Sequence, residues 1–286
     1  MERRRVRLVE LLSLAAVFAA LAIVAFAATS QPDRATYAVA AAPAPVETTG
    51  FAEPAPAPAE AQPQAAPQIP SSAEKPETER EAPPSSATGE HPVVQVKPGR
   101  AVVLRDAPGG DPVATVGDET DFGSPSVFSV VRSTDTWVAA PSPAMPDGEP
   151  AWIKADPRKL FGGYVDYAVH VDLSQRRAEL LRHGVVVRRW PVTVGGPDSP
   201  TPTGTFAVTD LFRGDLNPAY GCCAVALTAT QPNLPADWPG GNRIAIHGTD
   251  EPLGEAASHG CIRSADADVS RLVDTLPLGT PVRIDP

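Results

Sequence analysis

The segment Ser258-His259-Gly260-Cys261-Ile262-Arg263 sets a thiol among small and polar residues. A thiol is the most nucleophilic ordinary side chain, yet with a pKa of about 8.5 only a few per cent is thiolate at neutral pH, so it needs a base. Two histidines precede it, His259 immediately beside Gly260 and His247 further upstream. A residue two positions back on a tight turn rarely points at the same atom. His247, placed at the end of a neighbouring strand, is therefore the expected general base. Gly260 allows close backbone approach, and the amides of Gly260 and Cys261 can face a developing oxyanion, a donor worth about 10²–10³ in rate. Arg263 can hold a substrate carboxylate or brace the loop. The chemistry these residues suit is covalent acyl transfer. A zinc site built from His247, His259, Cys261 and Cys222 is the competing reading, but no Cys-x-x-Cys spacing supports it, so no metal is expected.

These residues need a framework, and the sequence from Gly163 to Pro286 reads as mostly β. Val165, Tyr167, Val169, Val171 and Leu173 alternate with more polar residues, the period-2 mark of a strand with one buried face. His183-Gly184 is a turn leading into a strand at 185–194, and Thr201-Pro202-Thr203-Gly204 is turn chemistry before a strand at 205–209. Short strands are expected at 224–228 and 243–246. Ser264 is placed to cap a helix, Asp266 and Asp268 suit its first turn, and Val269, Leu272, Val273 and Leu276 give it one apolar face. Pro277 ends it, and 281–284 closes the chain as a strand.

A second β-prone stretch covers 91–160. The runs 93–96, 101–105, 127–132, 137–139 and 151–154 are separated by turns at 108–112 and at Pro146-Asp147-Gly148. Ahead of it the composition changes. The 34 prolines of the 286 residues are too many for one compact fold, and many crowd between 32 and 84. Residues 29–90 are rich in Ala, Pro and Glu and cannot bury enough apolar surface to fold; a tether is expected there, reaching roughly 190 Å when fully extended. Residues 1–28 begin with Arg3, Arg4, Arg5 and Arg7 and continue into an apolar run from Leu11 to Ala28. This is the pattern of a signal anchor or signal peptide; with residues 8–28 anchoring the cytoplasmic membrane, the remainder is exported. The net charge is −10, with no basic block after the N-terminus, so nucleic acid is not an expected partner. Three cysteines make a multi-bridge framework impossible, and Cys222 and Cys223 are expected to be reduced, partly buried thiols with no bridge to Cys261.

The run IAIHGTDEP (Ile244–Pro252) followed by ASHGCIR (Ala257–Arg263) resembles the active-site signature of the L,D-transpeptidase family, the YkuD-type catalytic domain. TPTGTF, AYG and LPLGTPV follow in the family's order, so the resemblance spans residues 161–286. It implies a β-sandwich catalytic domain with one C-terminal helix, and attack on peptidoglycan stem peptides. Cys261 would be the nucleophile and His247 the base, held by a backbone carbonyl. Ser258, His259 and Gly260 would shape the loop and oxyanion hole, and Arg263, Gly248, Thr249 and Tyr220 would contact substrate. Carbapenem β-lactams would acylate the thiol, and no cofactor would be required. The sequence departs from the pattern in a short His247–Ser258 loop, in Ser264 and in the Cys222-Cys223 pair. The 91–160 stretch, with LRDAPGGDPVATV and AWI, is similar to bacterial SH3-like barrels, in which Trp137 and Trp152 could line a peptide groove. The resemblance implies cross-link formation outside the cytoplasm, in the periplasm or cell wall. An L,D-carboxypeptidase, or a wall-binding protein without catalysis, is the alternative.

Overall fold

The computed structural model describes residues 80–81 and 89–286, apart from 215 and 239. All described residues lie in one compact unit, within Ser71–Pro286. The expected targeting segment and nearly all of the expected tether therefore lie outside the described residues. Among the latter, no helix is long and apolar enough to cross a membrane. The described residues are mainly β, with one α-helix and one short 3-10 turn among them.

The first half is built from β1 (Arg80–Glu81), β2 (His91–Val96), β3 (Val102–Arg105), β4 (Pro112–Val116), β5 (Val127–Ser129), β6 (Arg132–Ser133), β7 (Trp137–Pro141), β8 (Pro150–Lys154) and β9 (Leu160–Val165). They form a six-stranded sheet in the order β1-β6-β7-β8-β3-β4 and a three-stranded sheet in the order β5-β2-β9. Val96, Leu104, Phe128, Ile153 and Leu160 bury a shared core. Arg80–Glu81, within the stretch read as tether, pair with Arg132–Ser133. Of the two readings open for Trp152, core packing or a groove lining, its 5% exposure fits packing. A strand also forms at β4, where the Gly109-Gly110 turn ends sooner than the Pro112 signal suggests.

The second half contains β10 (Tyr167–Asp172), β11 (Arg177–Arg182), β12 (Val185–Pro191), β13 (Val194–Gly195), β14 (Gly204–Arg213), β15 (Cys223–Thr230), β16 (Arg243–Thr249), β17 (Ala256–Ser258), β18 (Ile262–Ala265), α1 (Asp266–Thr275) and β19 (Pro281–Asp285). Eight strands form one sheet in the order β12-β11-β10-β19-β14-β15-β16-β18. Strand β14 is shared: Gly204–Ala207 pair with β19, whereas Val208–Arg213 pair with β15 across a register shift. Such irregularities bend a strand. One continuous core then joins Val171, Leu180 and Trp190 with Val225, Leu227, Ile246, Ile262 and Leu272. The helix buries Val269, Leu272 and Val273, as their spacing predicts. Its N-cap is Ala265 rather than Ser264, and no side chain caps it. Ser264 is fully buried and its hydroxyl accepts a hydrogen bond from Trp190 Nε1 at 3.1 Å. A buried indole N–H needs a partner, and that need takes the hydroxyl from the helix end.

Candidate active site

Cys261 stands immediately before β18, which runs parallel to β16 with Ile246 opposite Ile262 and His247 opposite Arg263. Ile246 and Ile262 are completely buried, so alternation sends His247 and Arg263 to the opposite face. The two strands deliver a thiol and an imidazole to one side of the sheet edge. The Cys261 Sγ lies 4.0 Å from the carbonyl oxygen of Arg243. Burial raises its pKa above the ordinary thiol value, while the Ala245 backbone amide and the nearby Arg263 guanidinium pull the other way.

His247 is 4% exposed and its Nδ1 lies 2.8 Å from the Gly248 carbonyl oxygen. A carbonyl can only accept, so the contact fixes the hydrogen on Nδ1 and leaves Nε2 with its lone pair. Burial lowers the imidazole pKa, opposed by that hydrogen bond, and Arg263 lowers it further. Tyr220, in the turn Pro218–Tyr220, meets the imidazole edge-on with ring centroids 5.0 Å apart. Its phenol is raised by burial and next by the charge Cys261 acquires on ionisation. Cys261, His247, Tyr220 and Arg263 are thus neighbours.

The loop before the nucleophile is held from several sides. Ser258 Oγ donates to the Cys261 carbonyl at 2.6 Å and accepts from the Gly260 amide at 3.2 Å. Thr201 Oγ1 donates to the Gly260 carbonyl at 2.8 Å and accepts from the Gly195 amide at 2.8 Å. Gly260 has φ 104°, and an added Cβ would sit 2.4 Å from Gln231 Nε2. Only glycine suits that position. The Gly260 amide is engaged by Ser258, which leaves the Cys261 amide as the better-placed oxyanion donor of the expected two.

The remaining expected residues separate. His259 is exposed and packs against Trp238, with ring centroids 4.9 Å apart and planes tilted by 46°. Arg263 is paired with Glu251, which favours the bracing role over a free substrate clamp. Thr249 Oγ1 accepts from the Glu251 amide at 3.1 Å and shapes the same turn. Gly248 lies beneath Asp266, whose Oδ1 would be 2.0 Å from an added Cβ, and the same oxygen accepts from the Cys222 amide at 3.2 Å. Gly248 is therefore a packing position.

Cys222 and Cys223 are joined to each other in a disulfide, and Cys261 is a free thiol. This corrects the expectation of two reduced thiols. Gln231, Trp238 and Glu251 were missed: nothing in their spacing points to Cys261, and only the fold brings them there.

The family model for the L,D-transpeptidase catalytic domain, YkuD, matches residues 166–284. YkuD of Bacillus licheniformis, named as an L,D-transpeptidase, is 30% identical over 124 residues, which cover 43% of this chain and 67% of that protein. Its Bacillus subtilis counterpart is 29% identical over 123 residues, covering 42% and 67%. Among solved structures, an Enterococcus faecium L,D-transpeptidase matches at 25% identity and a TM-score of 0.31, covering 42% of this chain and 50% of that one. The chain spans about half the length of the first solved chains it matches. By its sequence match to the Bacillus licheniformis relative and to the catalytic-domain model, this chain belongs to the YkuD family of L,D-transpeptidases.

Proposed function

We propose that the chain cross-links peptidoglycan stem peptides through a thioester on Cys261, with His247 as the general base. The observation that supports this reading is the parallel pairing of β16 and β18, with Cys261 and His247 in register for the same face and Tyr220 against the imidazole. His247 Nε2 accepts the thiol proton as Sγ attacks the carbonyl of the third stem residue. The Cys261 amide donates to the oxyanion. Collapse of the tetrahedral intermediate breaks the amide bond, and the terminal D-alanine leaves with the proton from His247. The amine of a second stem peptide then attacks the thioester, gives its proton to His247, and releases Cys261.

The wider reading keeps residues 1–28 as a targeting segment anchored at 8–28, residues 29–90 as a tether, 91–160 as an SH3-like module and 161–286 as the catalytic part. The enzyme then works in the periplasm or cell wall, with carbapenems as covalent inhibitors. Incubation of the full chain with a tetrapeptide muropeptide tests the proposal. A dimer joined between third residues, with loss of D-alanine, is expected. Tripeptide alone would make the chain an L,D-carboxypeptidase, and unchanged substrate would leave only a wall-binding role.

A further inference from the structure

The turn Pro146-Asp147-Gly148-Glu149 belongs to the first half of the fold but reaches the second. It is closed by a hydrogen bond from the Glu149 amide to the Pro146 carbonyl at 3.0 Å, with Gly148 at φ 89°. A positive φ at the third position is the mark of a type II turn, which leaves the second residue, Asp147, projecting from the corner. Its carboxylate accepts from the Thr230 amide at 3.1 and 3.2 Å and lies 3.4 Å from Thr230 Oγ1. Beside it, the Gly148 Cα lies 3.8 Å from where a Cβ on Gly204 would stand.

Thr230 and Gly204 are both hinge points for the nucleophile loop. Thr230 ends β15, and the next residue, Gln231, packs directly against Gly260 and donates through Nε2 to the Pro200 carbonyl at 2.8 Å. Gln231 Oε1 also accepts from the Asn233 amide at 2.9 Å, starting the segment that carries Trp238 onto His259. Gly204 begins β14 just after Thr201, whose hydroxyl holds the Gly260 carbonyl. The two supports of Gly260 therefore leave the sheet at the two points this turn touches.

We infer that Asp147 is a positioning residue for the nucleophile: it anchors Thr230, so that Gln231 keeps Gly260 and Cys261 in place. The inference rests on the transpeptidase reading for its consequence in rate, but not for its consequence in loop order. A charged acceptor on a backbone amide is stronger than a neutral one, and a small misplacement of a reacting atom is costly.

The test uses the full chain, with Asp147→Ala and Asp147→Asn. Two readouts are taken: the limiting rate and half-saturating concentration of Cys261 acylation by a carbapenem, and hydrogen exchange of peptides covering 231–238 and 258–263. The Asp147→Ala variant is expected to lose about tenfold to a hundredfold in limiting rate, with little change in half-saturation and faster exchange in both peptides. The Asp147→Asn variant, which keeps a neutral acceptor, recovers most of both. Wild-type rate and protection in Asp147→Ala would overturn the inference, as would a slowing that Asn does not relieve at all. An unacylated wild-type chain would refute the transpeptidase reading. Faster exchange in the two peptides of Asp147→Ala would even then uphold the positioning role.

Discussion

The two edges of the eight-stranded sheet are built on opposite principles. At the β12 edge, Val185 and Val187 are 65% and 55% exposed. Charges there pair across the surface, Arg189 with Glu179 at 2.6 Å and Arg182 with Asp166 at 3.0 Å. Exposed pairs of this kind contribute little, typically about 0–1 kcal/mol, and tolerate change. At the β18 edge, polar groups are drawn inward and matched: Thr201 with Gly260, Ser258 with Cys261, His247 with Gly248. A buried polar group left unpaired costs about 1–3 kcal/mol, so each of these contacts also fixes a position. The edge proposed for the chemistry is the one where displacing an atom is costly.

That contrast ranks the expected effects. His247→Ala should lower the acylation rate of Cys261 by about 10²–10⁴-fold, because a general base is lost, while melting stays close to wild type. His259→Ala, which loses only the contact with Trp238, should be far milder; the reverse order in stopped-flow rates would exchange their roles. Gly260→Ala forces a Cβ against Gln231 at an unfavourable φ and should destabilise by about 1–3 kcal/mol in thermal unfolding, with a drop in acylation. Val187→Thr, at the other edge, should change stability by no more than about 0.5 kcal/mol and leave acylation unchanged.

Proton inventory sharpens the same comparison. The His247 pKa is depressed, so its base form survives below the ordinary imidazole value of about 6.5. Acylation should hold as pH falls through that value and be lost only at lower pH. The Cys261 pKa is raised, so alkylation by a thiol reagent should keep climbing beyond the ordinary thiol value of about 8.5. An alkylation plateau near neutral pH would instead signal a thiolate–imidazolium pair. Without reductant, only Cys261 should be alkylated in the unfolded chain, since Cys222 and Cys223 are bonded to each other.

Much of this was legible in the sequence where local rules suffice. The alternation within Tyr167–Asp172 and the apolar face of α1 follow from side-chain period, although Val165 ends β9 in another sheet instead of starting the same strand. The proposed nucleophile and base, Cys261 and His247, come from residue type and the signature around them. Strand β11 (Arg177–Arg182) was missed because its charged residues hide the alternation of Ala178 and Leu180. The supports of Gly260 were not legible, because Thr201, Gln231 and Asp147 are scattered along the chain and converge only through β14 and β15. The helix cap failed for a related reason: Ser264 has a distant partner, Trp190, that local sequence does not reveal.

The central claim is that Cys261 carries the acyl group. The most direct measurement is to quench the full chain during turnover of a tetrapeptide muropeptide and map the adduct by peptide mass. The account predicts one tripeptide acyl group on the peptide containing Cys261, cleared by added acceptor amine and absent from Cys261→Ala. Product formed by the Cys261→Ala chain, or an acyl group on any other residue, would contradict it.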